Sequence, residues 1–340
     1  MTNATADSRQ TSPLAPGSVQ DMTLTAATAP PATNRFLVPA AAAVTVVLWA
    51  SAFIGIRAAG QDFSPGALAL GRMFVGTLAL TLIAGLAGKL GLPRGRTLVG
   101  IAVWGVLWFG LYNLALNTAE RTLDAGTASL LVGLAPILIA VFAGISLGEG
   151  FPARLLLGIG IAFTGVAGIA LATSSGASDT ISVALGLAAA VLYAGSTILQ
   201  KRLLPKVDSL TMTWLGCLAG VVALLPFAPT LLAELAAAPT SATLSVVYLG
   251  VFPTAIAFVT WGFALTRTTA GRLGAATYAA APLAVLMSWA LLGEVPTTVA
   301  LIGGTLCLAG VLTATLTLPA RPRSDVGPVR HRHRPGHRHA

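Results

Sequence analysis

Ten largely apolar stretches of about 20 residues follow one another along this chain, at 36–57, 66–88, 97–117, 124–147, 153–173, 181–199, 210–233, 243–265, 270–292 and 297–318. A bilayer core about 30 Å thick is crossed by about 20 helical residues, each rising 1.5 Å. Membrane strands would instead run about ten residues with alternating polarity, a pattern absent here, so the stretches read as helices. With 55% hydrophobic and only 9% charged residues, against about a quarter charged in soluble domains, the chain cannot cover a water-facing surface. A soluble enzyme, a disordered chain and a disulfide scaffold are excluded. The expected fold class is an all-α integral membrane protein with ten transmembrane helices.

The formal net charge of +9 is local. Arg321, Arg323, Arg330, Arg332, Arg334 and Arg338 lie with all four histidines in the last 20 residues. The excess is therefore a tail property and predicts no nucleic-acid partner. Cys217 and Cys307 sit inside apolar runs and read as small buried hydrophobes. No disulfide, metal site or cofactor is expected. Of the 20 lysines and arginines, 17 fall in the two tails and the even-numbered connections, leaving Arg57 and Arg121 opposite and Arg72 within a span. Positive charge stays on the cytoplasmic side, so both termini are expected there, in a multi-pass protein of the plasma (inner) membrane.

The chain also repeats itself. Ala135-Pro136, Gly148-Glu149, Gly158 and Gly165 reappear as Ala281-Pro282, Gly293-Glu294, Gly303 and Gly310, and Trp49 and Arg57 match Tyr193 and Lys201. Two units of five spans follow, at 36–175 and 180–318, flanked by a disordered tail at 1–35 and a basic His/Arg-rich tail at 319–340. Five is odd, so the second unit enters the membrane inverted. The loop holding Lys89, Arg94 and Arg96 has its counterpart near 234–242, with Glu234 and no base. Inverted repeats characterise secondary transporters, whose sites lie near the midplane between the halves.

Trp49-Ala-Ser51-Ala-Phe53, Pro65-Gly-Ala-Leu-Ala-Leu-Gly-Arg72, Asp124-Ala-Gly-Thr-Ala-Ser129 and the duplicated Leu-Gly-Glu at Glu149 and Glu294 resemble the EamA-type members of the drug/metabolite transporter superfamily. The resemblance covers about residues 36–318 in two copies. It implies a carrier of small organic solutes such as amino acids, related metabolites or toxic compounds, with export the expected direction.

Arg72 is a charge inside a span, where burial is costly unless it faces a cavity or a partner. Its counterpart in the second repeat falls near Leu215, so the shared scaffold does not demand it. It reads either as a contact for a carboxylate-bearing solute or as an arginine that snorkels or pairs with Asp62, Glu120 or Asp124. Asn113 and Asn117 share a helix face with Tyr112 nearby. Tyr193, Trp261 and Tyr278 add aromatic groups with polar handles, and Ser51 a hydroxyl. All are candidates to line a solute pocket, or else to glue helices together, whereas Trp104 and Trp108 read as packing or belt residues. Pro136 and Pro282, expected mid-span, are hinge candidates if each kinks its helix. Glu149 and Glu294 read as caps for the helices that follow them. Asp124 and Glu120 are the coupling candidates. The glycines of the fifth and tenth spans predict close helix packing.

The alternatives are a membrane-embedded enzyme acting on lipid, and a channel. An enzyme needs convergent carboxylates, a metal cluster or an activated nucleophile, and the sequence shows no such motif. The expected partners are a small-molecule solute and the bilayer, with the chain a monomer or homodimer.

Overall fold

The computed structural model describes residues 32–147, 153–173, 177–267, 273, 276–294 and 296–315. Every regular element among them is helical. The first half contains α1 (Ala32–Ala59), α2 (Pro65–Leu86) and α3 (Arg96–Gly105), which runs through a π-helical segment, Val106–Tyr112, into α4 (Asn113–Ala119). It continues with α5 (Ala125–Val132), α6 (Ala135–Leu147) and α7 (Ala153–Thr173). The second half contains α8 (Ala177–Leu203), α9 (Ser209–Leu224), α10 (Ala228–Ala237) and α11 (Thr240–Leu249). A second π segment, Gly250–Ile256, leads into α12 (Ala257–Leu265), followed by α13 (Ala280–Leu292) and α14 (Thr298–Thr315).

Six helical stretches are long and apolar enough to cross a membrane: Phe36–Ala59, Pro65–Leu86, Arg96–Ala119, Thr180–Lys206, Ser209–Ala237 and Thr240–Leu265. Shorter apolar helices, Ala125–Ile139, Leu156–Gly168, Ala280–Leu292 and Leu301–Gly310, occupy the other four expected positions. The chain is thus a multi-pass membrane protein. The surface agrees: Phe74, Leu78, Leu82 and Leu86 form an exposed stripe at four-residue spacing on α2, while Leu68, Met73 and Leu80 are buried on its other side. An α-helix meets its own backbone bonds, so such an apolar face suits hydrocarbon and not water.

The repeat appears in the backbone as well as in the sequence. Both π segments are seven residues long, and they begin at Val106 and Gly250. A second pair of matched features corrects an expectation. The stretch 124–147 is not one kinked helix: α5 stops at Val132, Gly133 and Leu134 turn, and α6 starts at Ala135. Tyr278 and Ala279 form the matching turn before α13. Pro136 and Pro282 are therefore the second and third residues of new helices. In a first turn the missing N–H is one that would have had no partner anyway. These prolines start helices after a break rather than bend continuous ones.

The halves interlock. α1 packs mainly against α11, α12 and α13 of the second half, and α8 against α4, α5, α6 and the π segment of the first. The most extensive helix contact joins α7 to α14. A Cβ on Gly165 would run into the carbonyl of Gly303, so the absence of side chains there lets the backbones touch, as expected from the sequence.

The ends are tied by polar groups. Ser64, ahead of Pro65, donates its N–H to Glu234 Oε2 at 2.9 Å. At the far end of α2, Lys89 Nζ lies 3.5 Å from Asp208 Oδ2. The 22 residues of α2 separate the two ties by about 33 Å at 1.5 Å per residue. Glu234 and Lys89 therefore lie at opposite ends, as inverted repeats require. The N-terminal tail to residue 31, Glu149 with Pro152, and the tail from residue 316 lie outside the described residues.

Candidate functional site

A cavity with about 760 Å³ of space between atoms, its open mouth included, lies where the halves meet. α1 contributes Trp49 and Phe53, α2 Arg72 and Met73, and the first π segment with α4 contributes Trp108, Tyr112 and Asn113. Tyr193 comes from α8 and Phe258 from α12. Both helix breaks reach it, through Val132, Gly133 and Pro136 on one side and Thr277, Ala280 and Ala281 on the other. A largely apolar, aromatic enclosure with a few polar groups is the usual form of a small-molecule site.

Arg72 is 4% exposed, so it does not snorkel. The ion pairs among the described residues are Arg57–Glu294 and Lys89–Asp208, and neither involves Arg72. Its Nε donates to Thr254 Oγ1 at 2.9 Å, while Nη1 finds no partner among the described residues. An unsatisfied buried donor costs about 1–3 kcal/mol, more when charged, so this group favours an anionic ligand.

The position of Thr254 follows from local chemistry. Pro253 lies within the second π segment and has no N–H to offer the Leu249 carbonyl four residues earlier. The Thr254 hydroxyl donates to that carbonyl at 2.9 Å instead, and its remaining lone pairs accept from Arg72. A glycine one turn beyond Arg72 permits the approach, since a Cβ on Gly76 would come within 2.8 Å of Thr254 Cγ2.

The first π segment is supported by a different side chain. Asn113 Nδ2 donates to the carbonyls of Trp108 at 3.0 Å and Phe109 at 3.2 Å. Facing two acceptors fixes which end of the amide is nitrogen. Asn113 Oδ1 is buried and has no partner among the described residues. Around it the rings form one continuous wall. Trp108 and Tyr193 have centroids 5.3 Å apart, Phe109 and Phe258 4.8 Å, Trp49 and Phe258 5.4 Å, and Tyr112 and Tyr193 6.3 Å. Such spacing suits edge and offset contacts. Tyr193 also hydrogen-bonds Thr277, the residue just before the second helix break.

A smaller polar pocket lies toward the Arg57 end, lined by Ile56, Arg57, Gly60, Gln61, Asn117, Glu120 and Arg121. Glu120 is 3% exposed, and neither carboxyl oxygen meets a partner among the described residues. It follows the span that ends at Ala119. Burial pushes this carboxyl well above the usual carboxylate range, with Arg57 and Arg72 favouring the charged form and Glu294 and Asp124 opposing it. Arg57 Nε donates to Glu294 Oε1 at 2.7 Å, and its Nη1 to the Glu120 carbonyl at 3.0 Å.

The structure thus brings Arg72, Asn113, Tyr112, Tyr193 and Pro136 to one cavity and leaves other candidates outside it. Ser51 bonds the Leu48 carbonyl and the Tyr248 hydroxyl on the α11 side. Trp261 packs at a tilt behind Trp49, ring centroids 5.0 Å apart, and donates to Gln200 Oε1. Tyr278 lies in the turn itself, packed against the core, and Pro282 is exposed. Asp124 caps α5, accepting from the N–H and hydroxyl of Thr127 at 2.8 and 2.6 Å. Glu294 reaches Arg57, and its other oxygen lies 3.5 Å from the Ala125 nitrogen at the start of α5. Trp108, expected to be packing, is a cavity wall; Trp104 is buried behind it. Thr254 and Phe258 were not anticipated. A hydroxyl directly after a proline in an apolar run was the available signal for Thr254.

Two segments, residues 38–171 and 180–316, match the EamA-like transporter family. The chain is 38% identical over 287 residues to a protein of Streptantibioticus cattleyicolor named "Probable terminal-alkyne amino-acid exporter", spanning 84% of this chain and 96% of that one. It is 34% identical over 268 residues to the uncharacterized transporter YdfC of Bacillus subtilis, spanning 78% and 86%. A solved crystal structure superposes with a TM-score of 0.59 at 22% identity, covering 83% of this chain and 98% of that chain. That last likeness concerns the fold alone.

Proposed function

The chain belongs to the EamA-like transporter family, and on that premise we propose that it exports a small amino acid with an apolar side chain by alternating access. The observation that carries this reading is the buried Arg72, which lines an aromatic cavity between the two halves and whose Nη1 has no partner among the described residues. A carboxylate is the natural anion for a guanidinium donor. The rings of Trp49, Trp108, Tyr193 and Phe258 offer an apolar chamber for a short hydrocarbon side chain, and the free Asn113 Oδ1 accepts from an ammonium. The name of the Streptantibioticus relative, an amino-acid exporter, points the same way. Tyr112 completes the wall, whereas Trp261, Tyr278 and Ser51 act by supporting it.

In this reading the chain crosses the plasma membrane ten times, with the Lys89 end cytoplasmic and the Arg57 end outside, as the distribution of lysine and arginine favours. The paired helix breaks, with Pro136 and Pro282 just beyond them, are the joints about which the halves exchange access. The chain works as a monomer or homodimer. Counterflow in proteoliposomes tests the proposal, with 2-amino-4-pentynoic acid, norvaline and phenylalanine as solutes and acidic and cationic solutes as controls. Exchange of the small apolar amino acids by the wild type, strongly weakened in Arg72→Ala, is expected. Absence of any amino-acid exchange by the wild type would overturn it.

A further inference from the structure

Between the aromatic cavity and the Arg57 end, α4 and the turn after it carry three buried acceptor atoms with no donor among the described residues: Asn117 Oδ1 and both oxygens of Glu120. Asn117 and Glu120 are three residues apart and so share a helical face. An ionised carboxylate with neither water nor a donor at its oxygens is costly to bury, and the usual outcome is that it takes up a proton. These atoms have almost no accessible surface, so a proton is the ligand that reaches them without moving the helices. Once protonated, Glu120 has the donor that Asn117 Oδ1 lacks.

The surroundings give the proton a mechanical consequence. The charged and titratable groups around Glu120 are Arg57 from α1, Arg72 from α2, Tyr112, Arg121, Asp124 at the start of α5 and Glu294 after α13. Arg57 is the pivotal one. It joins the halves through Glu294, yet lines the same pocket as Glu120 and already bonds its backbone carbonyl. We infer that Glu120 is a proton-binding site whose ionisation draws Arg57 away from Glu294, coupling proton release to the opening of that end. The proton leaves the carboxyl group for water on the Lys89 side while the carrier is open there, and the carboxylate left behind takes the guanidinium as its partner. An empty, ionised site favours opening at the Arg57 end. Reprotonation there restores the Arg57–Glu294 closure, so amino acid leaves as a proton enters.

This rests on the proposed amino-acid export, and the test separates the two. Proteoliposomes holding a pH-sensitive dye are supplied with 2-amino-4-pentynoic acid, with the membrane potential clamped. Wild-type protein should move protons opposite to the amino acid. With one proton per solute, a gradient of one pH unit should support up to about tenfold accumulation. Glu120→Gln should bring the ratio of rates with and without the gradient close to one, and Glu120→Asp should restore the dependence. A wild type that carries amino acid without moving protons overturns this inference while leaving the export reading intact, as does a Glu120→Gln protein that responds to the gradient like the wild type. A wild type that carries no amino acid defeats the export reading itself. If Glu120→Gln does not fold, proton movement by the wild type decides the matter alone.

Discussion

The third crossing of each half uses the same backbone device with different chemistry. In both, ten α-helical residues pass into a seven-residue π segment, and the two copies begin 144 residues apart, at Arg96 and Thr240. At this register Asn113 corresponds to Ala257, Asn117 to Trp261, Glu120 to Ala264, and Arg72 in the second helix to Gly216. The first half supplies the cation, the amide and the buried acid. The second supplies rings, small residues and the Thr254 hydroxyl on which the cation rests. Duplicated backbone features suit a motion that runs both ways through the membrane. Under the proposed export, unduplicated side chains would define one solute pose, because a single molecule with distinct ends cannot satisfy two identical half-sites at once.

The largest expected effect falls on the charge that has no counterpart. Arg72→Ala should weaken the apparent affinity for amino acid by roughly 30-fold or more, corresponding to about 2 kcal/mol for a lost charge-assisted hydrogen bond, read from concentration-dependent counterflow. Retention of wild-type affinity would mean that the asymmetry serves packing. Next comes the hydroxyl that joins the halves. Thr254→Val keeps the shape but removes both the donor to the Leu249 carbonyl and the acceptor for Arg72. Its cost should be about 1–3 kcal/mol of stability and a measurable loss of affinity, both recovered in Thr254→Ser. Thermal unfolding together with counterflow checks this. Gly165→Val, in the shared packing of α7 on α14, should cost about 1–3 kcal/mol by overpacking with little change in affinity, separating scaffold from site. The smallest effect belongs to Trp261→Phe, which retains a ring behind Trp49 and loses the bond to Gln200. About 1 kcal/mol of stability is expected to go, with solute affinity within about twofold of wild type.

Much of this organisation was legible in the sequence. Apolar runs of bilayer length marked the six stretches long enough to cross a membrane, and the recurring glycines foretold the α7–α14 contact. Arg72, Asn113, Tyr112 and Tyr193 were named from polarity inside apolar runs, and the structure brings them to one cavity. Other readings went astray because hydropathy is blind to backbone hydrogen bonding. The breaks at Gly133 and Tyr278 lie in stretches as apolar as any helix, so Pro136 and Pro282 looked like kinks. Glu294 also meets Arg57, from the other half of the chain, a contact that no local pattern announces. Ser51 and Trp261 carry polar handles that neighbours already occupy, a fact only packing reveals. Glu120 was noticed as an acid near a helix end, with nothing to indicate that both of its oxygens would be left without donors.

The sequence by itself determined that this chain enters a membrane as two related helical units, since burying so apolar a surface anywhere else is unfavourable and a repeated pattern folds to a repeated shape. The tertiary structure alone decided which polar groups are satisfied and which are left waiting. α1 inserts among helices of the second half and α8 among those of the first. The cavity is therefore lined by residues far apart in the chain, and the partner that each donor or acceptor finds depends on long-range packing that no local pattern encodes.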